Sequence, residues 1–321
     1  FPLLAKMTVG VCYGQTGQVT QGIGMIDAIR RHCLETGDRD LAAHCGICIG
    51  AILLDAGHIA DALSHLVSAG EETQTLPPDW TTLQGELILA YAFYLHGENK
   101  ASLKHIRQYF SMSKLADVTV RPWSYVMELG FAAEQGHYPT VPDLSLQQEI
   151  DAALRGENVF LKGVACRFQA LLQKRDGASP EKLIETLKKS IKFLERSGHA
   201  IELAKTRLEL ARAYLLKGQL KQAIKVAAYA CETLSELNEA LIPDDLKGIA
   251  GPSVIGNNPY QELLAVTREL TMAQNSRDAI GQLLSAANRI SGAERGGIFL
   301  LEHHQDCSIS GSDETVSSWS S

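Results

Sequence analysis

The sequence contains few aromatic residues, little proline and no apolar run of the length that a membrane span needs. Aromatic residues make up 6% of the 321 residues, and only ten residues are Pro. Ala and Leu dominate the apolar share of 45%, and both lose little conformational freedom in a helix. Since a transmembrane helix takes about 20 apolar residues, we predict a largely helical protein that is not inserted in a membrane.

The motifs of common catalytic and cofactor sites are also missing. The sequence has no Gly-x-x-x-x-Gly-Lys-Ser/Thr phosphate loop, no Gly-x-Ser-x-Gly nucleophile turn and no His-Glu-x-x-His zinc motif. Cys45 and Cys48 form a single Cys-x-x-Cys pair, but a structural zinc site takes four ligands and the sequence has no second such pair. We therefore interpret both cysteines as small buried residues, with metal or redox use as the alternative. We predict no catalytic residue, no metal and no cofactor.

Basic residues are outnumbered, and the net charge of −7 argues against direct binding of nucleic acid. Residues 181–225 are the exception, with eleven Lys and Arg against five Asp and Glu. We predict that this segment docks an acidic partner or a neighbouring domain, with a solvated helix face as the alternative. The predicted docking residues are Lys188, Lys189, Lys192, Arg196, Lys205, Arg207, Arg212 and Lys221.

Seven cysteines, an odd number without regular spacing, predict a reduced, cytoplasmic protein rather than a disulfide-bonded one. The chain begins with Phe1 and not with Met, so we expect it to be a piece of a longer protein. Catalytic or DNA-binding domains would then lie outside it.

Evenly spaced glycines are the clearest pattern in the sequence. Each follows an Ala-rich or aromatic helical stretch, and their successive separations are 40, 40, 39, 41 and 41 residues. Glycine ends a helix in a left-handed conformation at little steric cost, and apolar residues at helical spacing follow most of the glycines. We predict six helical hairpins that stack to bury their apolar faces. The turns are expected at Gly17, Gly57, Gly97, Gly136, Gly177 and Gly218.

The sixth unit resembles the tetratricopeptide repeat (TPR). In that family a small residue and an aromatic residue precede the turn glycine by seven and four positions, and small residues follow it at plus five, nine and twelve. The corresponding residues here are Ala211, Tyr214, Gly218, Ala223, Ala227 and Ala230. The resemblance covers residues 3–238 and implies that residues 1–238 form an all-α, right-handed superhelix that binds proteins.

The fourth unit departs from the repeat. Pro139 and Pro142 stand where its second helix should begin. Proline has no backbone N–H to donate to a helical hydrogen bond, and it disfavours the helical conformation at the residue before it. We therefore predict that the second helix of this unit is short or displaced.

The repeat pattern stops after residue 238. Residues 239–259 contain Pro243, Pro252 and Pro259 and are predicted to be a linker. Ser, Thr, Gly and Asp dominate residues 303–321, so we predict a disordered tail there.

The residue pattern of 260–302 predicts two helices followed by an apolar strand. The segments LLAVTREL and LLSAANRISGAERGGIFLLE occur in this order, which resembles the start of a GAF domain. The rest of such a domain does not follow, so we expect this helix-helix-strand fragment to borrow a partner. A homodimer through residues 260–302 is our preferred prediction, and packing on the end of the superhelix is the alternative.

Helical repeats that lead into a GAF-like segment resemble the middle of large bacterial regulators, such as sigma-54-dependent transcriptional activators and sensor kinases. The leading hypothesis is a protein-interaction and signal-relay scaffold that binds other proteins or neighbouring domains of the same polypeptide. The alternatives are a stand-alone TPR adaptor and, with no supporting motif, an enzyme with its site in the repeat groove.

Overall fold

The computed structural model describes residues 2–73, 79–116 and 123–247. The predicted fragment 260–302 and the predicted tail 303–321 lie outside these ranges. Within them the chain is all-helical and contains no strand. The first twelve helices are α1 (Pro2–Gln15), α2 (Val19–Thr36), α3 (Arg39–Asp55), α4 (Ile59–Thr73), α5 (Trp80–Leu95), α6 (Asn99–Ala116), α7 (Tyr125–Glu134), α8 (Leu146–Arg155), α9 (Val159–Arg175), α10 (Pro180–Ser197), α11 (Ala200–Leu216) and α12 (Leu220–Ser235).

Consecutive helices pair into six hairpins, and a predicted turn glycine lies in each connection. Each of these glycines has a positive φ, between +73° and +92°. A side chain at such a backbone position is strained, and this explains why glycine recurs there. We number the hairpins 1 to 6 in chain order, and we call the two members of each hairpin its first and second helix.

Polar side chains define where several helices begin. The Asp38 and Asp79 carboxylates accept hydrogen bonds from the backbone N–H groups of Leu41 and Thr82, at 3.2 and 3.0 Å. At the start of α9, the Asn158 side-chain oxygen accepts a hydrogen bond from the backbone N–H of Leu161. These caps satisfy N–H groups that have no partner inside the helix.

The first helices of neighbouring hairpins pack against one another and form an inner layer. The contacts run from α1 to α3, α5, α7, α9 and α11 in succession. Within hairpin 6, the side chains of Ala223, Ala227 and Ala230 are completely buried, so α11 and α12 can approach closely. Tyr214 packs against a buried cluster that includes Leu183 and Leu187 of α10 together with Leu210 of α11, and thereby fills space between neighbouring hairpins.

Hairpin 4 is the irregular one, as its two prolines predict. Its helices α7 and α8 are only 10 residues long, and α8 begins at Leu146, well after the turn at Gly136. The intervening segment contains both prolines and still packs against the array. The Tyr138 hydroxyl lies 2.8 Å from the Ser102 hydroxyl, and the side chain of Val141 is buried.

The start of the predicted linker differs from the expectation. Residues Glu239–Leu241 form a short 3₁₀ helix, and Asp244–Lys247 form a helical turn, α13. The side chains of Ile242 and Leu246 are buried against α11 and α12. Pro243 directly precedes α13, a position where its missing N–H interrupts no helical hydrogen bond. The packed array therefore continues to Lys247.

None of the helices in the three described ranges combines the length and the apolar character required to cross a bilayer.

Candidate functional site

The predicted docking residues lie on the three helices α10, α11 and α12, and their surroundings differ. Lys188, Lys189, Lys192 and Arg196 lie on α10 and are exposed to solvent. Lys221 on α12 is also exposed, as is the neighbouring Lys225. We call the exposed basic residues of α10 and α12 the basic face: Lys188, Lys189, Lys192, Arg196, Lys221 and Lys225.

The three predicted docking residues on α11 do not belong to this face, because each is only partly exposed and is paired with a carboxylate of this chain. Lys205 Nζ lies 2.7 Å from a Glu202 carboxylate oxygen, and Arg207 contacts Glu195 at 3.2 Å. Arg207 also stacks its guanidinium over the exposed Tyr229 ring, 4.2 Å from the centroid. Arg212 pairs with Glu209 and, at 2.6 Å, with Asp245 of α13. The three side chains are 27%, 19% and 25% exposed, so these cations are less exposed than those of α10 and each already has a carboxylate partner.

A second polar site lies where the inner layer brings α7, α9 and α11 together. The Arg167 guanidinium donates hydrogen bonds to Glu128 at 2.8 Å and to Glu202 at 2.7 Å. The Arg167 and Glu202 side chains are only 7% and 3% exposed. The guanidinium also lies 4.5 Å from the centre of the Phe168 ring. This buried charge cluster joins hairpins 4, 5 and 6.

Burial and the neighbouring charges shift the pKa values of these groups in opposite directions. Burial alone would raise the pKa of Glu202, but the charges of Arg167 and Lys205 outweigh it and hold that pKa well below its usual range. Burial would lower the pKa of Arg167 and of Lys205, and the neighbouring carboxylates of Glu202 and Glu128 raise both instead. Glu202, Arg167 and Lys205 are therefore charged, and the opposite charges of the cluster compensate one another.

Asp55, at the end of α3, meets the same region from hairpin 2. The Tyr125 hydroxyl donates a hydrogen bond to Asp55 Oδ1 at 2.9 Å. Asp55 Oδ2 lies 3.8 Å from Nε2 of His199, the capping residue of α11. The His199 ring stacks on Phe160 with centroids 4.6 Å apart. Burial raises the pKa of Asp55 to about 7 and lowers the pKa of His199 to about 4.

Further contacts connect the turns of hairpins 1 and 2 with hairpin 6. The Asn238 side-chain amide donates a hydrogen bond to the Gly57 carbonyl oxygen at 3.2 Å. At the turn of hairpin 1, a Cβ atom built on Gly17 would lie 3.9 Å from the Ala200 Cβ atom. We call the contact made by Asp55 and Gly57 with His199 and Asn238 the closing contact.

Neither spacing nor motif singles out the residues of the buried charge cluster. A usable signal exists for two of them, since Glu128 and Arg167 each interrupt an apolar stretch of a first helix. A charge at such a position needs a partner. Their partners come from helices 35 and 39 residues away, and helical periodicity does not reveal pairs at that separation.

Cys45 and Cys48 lie in α3 with side chains 0% and 3% exposed, as the interpretation of buried residues predicts. Burial raises the pKa of both thiols to about 12, so they are uncharged at neutral pH. The six cysteines of the described ranges are free thiols. No group of three or more potential metal ligands occurs among the residues with described positions.

No protein-family model matches the chain, and no curated protein matches its sequence. Two crystal structures of a Podosopora anserina protein, described as a putative kinesin light chain with nearly identical TPR-like repeats, are similar to it. One of them, a variant with a single substitution, has 12% sequence identity over 73% of this chain and 95% of its own. The other has 13% identity over 74% and 97%, and both have a TM-score of 0.34. Similarity at this level carries no information about the function of this chain.

Proposed function

We propose that residues 1–238 form a protein-interaction scaffold of the tetratricopeptide kind, whose hairpins follow a right-handed superhelical path. The observation that carries this proposal is the basic face on the second helices of hairpins 5 and 6. The proposed role is to hold a partner in place, and it requires no catalytic group.

The distribution of polar contacts favours the outer surface over the inner one as the docking site. Toward the inside, Arg167, Glu202 and Tyr125 are occupied by hydrogen bonds to neighbouring helices. A partner that entered there would have to replace these buried pairs, and breaking a buried ion pair costs several kcal/mol. A partner that binds to the exposed cations of α10 and α12 breaks no buried ion pair.

The composition of the outer surface of hairpins 5 and 6 favours an acidic partner with apolar anchor residues. Among the described residues, Lys189, Lys192 and Lys221 form no ion pair, so their charge is available to a partner. Exposed apolar side chains lie on the same hairpin as Lys221: Leu216, Leu220 and Tyr229 are 58%, 56% and 57% exposed. Exposed aromatic and apolar anchors surrounded by charge are typical of protein interfaces.

The wider context of the scaffold is part of the proposal. We place it in the cytoplasm, in a bacterial multidomain regulator, with a homodimer contact through residues 260–302. The support for the regulator is the resemblance of residues 260–302 to the start of a GAF domain, and the support for the cytoplasm is the free cysteines. A stand-alone adaptor would use the same basic face.

Charge reversal on α10 tests whether the basic face docks a partner. The triple variant Lys188→Glu, Lys189→Glu, Lys192→Glu removes half of the basic face and replaces it with acid. The matched control is Lys100→Glu, Lys104→Glu, Arg107→Glu, three exposed cations on α6, the second helix of hairpin 3. Both variants change the net charge by the same amount.

The probe is a fluorescent, Glu-rich amphipathic helical peptide with Leu at every third or fourth position, and binding is followed by anisotropy. We expect the α10 variant to lose at least about tenfold in affinity, since each exposed ion pair contributes about 0.2–1 kcal/mol and is replaced by repulsion. The control should bind like the wild type. Binding should weaken as the salt concentration rises from about 50 to about 200 mM, because added ions screen the attraction between the exposed charges. Equal loss in both variants would mean that only net charge matters and that the basic face is a solvated surface.

A further inference from the structure

Two titratable side chains face each other across the closing contact. Asp55 Oδ2 lies 3.8 Å from His199 Nε2, and the side chains are 13% and 3% exposed. The Glu202 N–H donates a hydrogen bond to His199 Nδ1 at 3.4 Å. Neutral His199 therefore carries its proton on Nε2, the nitrogen nearest to Asp55. This nitrogen has no hydrogen-bond partner in the described part of the chain.

The charges of the groups around Asp55 and His199 cancel one another, so they do not compensate a net charge on this pair. Tyr91 of α5 and Tyr125 of α7 are neutral, because burial and nearby carboxylates raise the pKa of both well above the usual value. The remaining charged groups are two anions and two cations, which cancel: Glu128 of α7, Arg167 of α9, and Glu202 and Lys205 of α11. The net charge of the site is thus decided by Asp55 and His199 alone.

The proton count of the pair then determines whether a bare charge is buried. With two protons the site carries +1, with one proton it is neutral, and with none it carries −1. Burying an uncompensated charge is strongly unfavourable. We propose that Asp55 and His199 act as a one-proton pair that holds hairpins 2 and 6 together, each residue cancelling the pH dependence that the other would impose on the closing contact.

The directions of the two pKa shifts support this cancellation. The pKa of Asp55 is raised from 3.8 to about 7, so Asp55 alone would favour closure at low pH, and that contribution is lost as pH rises through 7. The pKa of His199 is lowered from 6.5 to about 4, so His199 alone would favour closure above pH 6.5, and that contribution is lost as pH falls through 4. Between about pH 4 and 6.5 the two effects oppose each other, and from pH 6.5 to 7 only the remaining loss of the Asp55 contribution is left.

Three variants separate the contributions without removing the local hydrogen bonds. In Asp55→Asn, the amide oxygen can still accept from the Tyr125 hydroxyl. In His199→Asn, the side-chain oxygen can still cap α11, since Asn is among the best capping residues. The double variant removes both titrations. Asp176→Asn and His96→Asn are the controls, because both residues lie next to hairpin turns and are exposed.

Hydrogen–deuterium exchange of peptides covering residues 50–60 and 197–206, corrected for intrinsic rates, reports opening of the closing contact. In Asp55→Asn we expect the opening constant to rise on the order of 30-fold from pH 8 to pH 5. In His199→Asn it should rise on the order of 100-fold in the opposite direction, from pH 5 to pH 8. The wild type, the double variant and both controls should each change by less than about fivefold.

Opposite pH slopes in the two single variants are the signature of the one-proton pair, because a purely structural loss would shift the opening constant equally at every pH. The proposal is overturned if either single variant keeps the wild-type profile, or if both single variants slope in the same direction.

Discussion

The close approach of α1 and α2 makes Gly22 a position where a single methyl group should destabilise the array. A Cβ atom added to Gly22 would lie 2.5 Å from the Gly10 carbonyl oxygen and 2.8 Å from the Gly14 nitrogen. Both are backbone atoms of α1, so no side-chain rotation can relieve the overlap. The two helices must therefore separate in the Gly22→Ala variant.

The size of the effect follows from two opposing contributions. Alanine stabilises a helix by about 1 kcal/mol relative to glycine. Overpacking in a close-packed interface costs about 1–3 kcal/mol, and it should lie near the upper end here because the obstacle is backbone. We expect Gly22→Ala to lower the free energy of unfolding by about 1–2 kcal/mol.

Gly24 provides the matched control on the same helix. It is exposed, and a Cβ atom there would have no atom within 4 Å. Gly24→Ala should therefore stabilise the protein by about 0.5–1 kcal/mol through helix propensity alone. Urea titrations followed by far-ultraviolet circular dichroism give the midpoint for each variant. If Gly22→Ala raises the midpoint as much as Gly24→Ala does, the reasoning about the α1–α2 approach is refuted.

Three further outcomes are expected. Arg167→Met should lower stability by about 3–5 kcal/mol in the same titration, because buried Glu202 keeps only Lys205 as a partner and partly buried Glu128 loses its ion pair, whereas Arg175→Met on the exposed side of α9 should change little. A comparable loss in both variants would contradict the buried cluster. For Glu202, whose pKa is depressed, the stability it contributes is present above its ordinary value of 4.5 and lost as pH falls below it. The difference in urea midpoint between wild type and Glu202→Gln should accordingly shrink from about pH 6 to about pH 3, and a constant difference would contradict the assignment. A thiol reagent should label exposed Cys12 in the native protein but Cys45 only after unfolding, and a fast phase that disappears in Cys45→Ser would disprove its burial.

Local physics explains why the hairpins could be predicted from the sequence. Each turn requires a residue with positive φ, and glycine at Gly57 or Gly218 meets this need without tertiary help. The irregularity of hairpin 4 is equally local, because Pro139 and Pro142 remove N–H groups and restrict their neighbours wherever they occur. The segment after residue 238 was harder to predict, since Pro243 is compatible both with a linker and with the start of α13.

The charged residues illustrate what local patterns leave undecided. Eleven basic residues within residues 181–225 predict a positive region, but the same count includes Lys205 and Arg212, which pair with carboxylates, and Lys189, which does not. Which of these cations faces solvent depends on the helices packed around α11.

The sequence by itself therefore determined the helices, their turns and the one irregular hairpin, because these depend on neighbours within a few residues. Only the tertiary structure decided that Asp55 meets His199, that Arg167 joins Glu128 to Glu202, and that the basic face is confined to α10 and α12. These contacts depend on how far each hairpin rotates relative to the one before it. That rotation is the sum of many small packing choices along the array, and none of them is encoded in a single repeat.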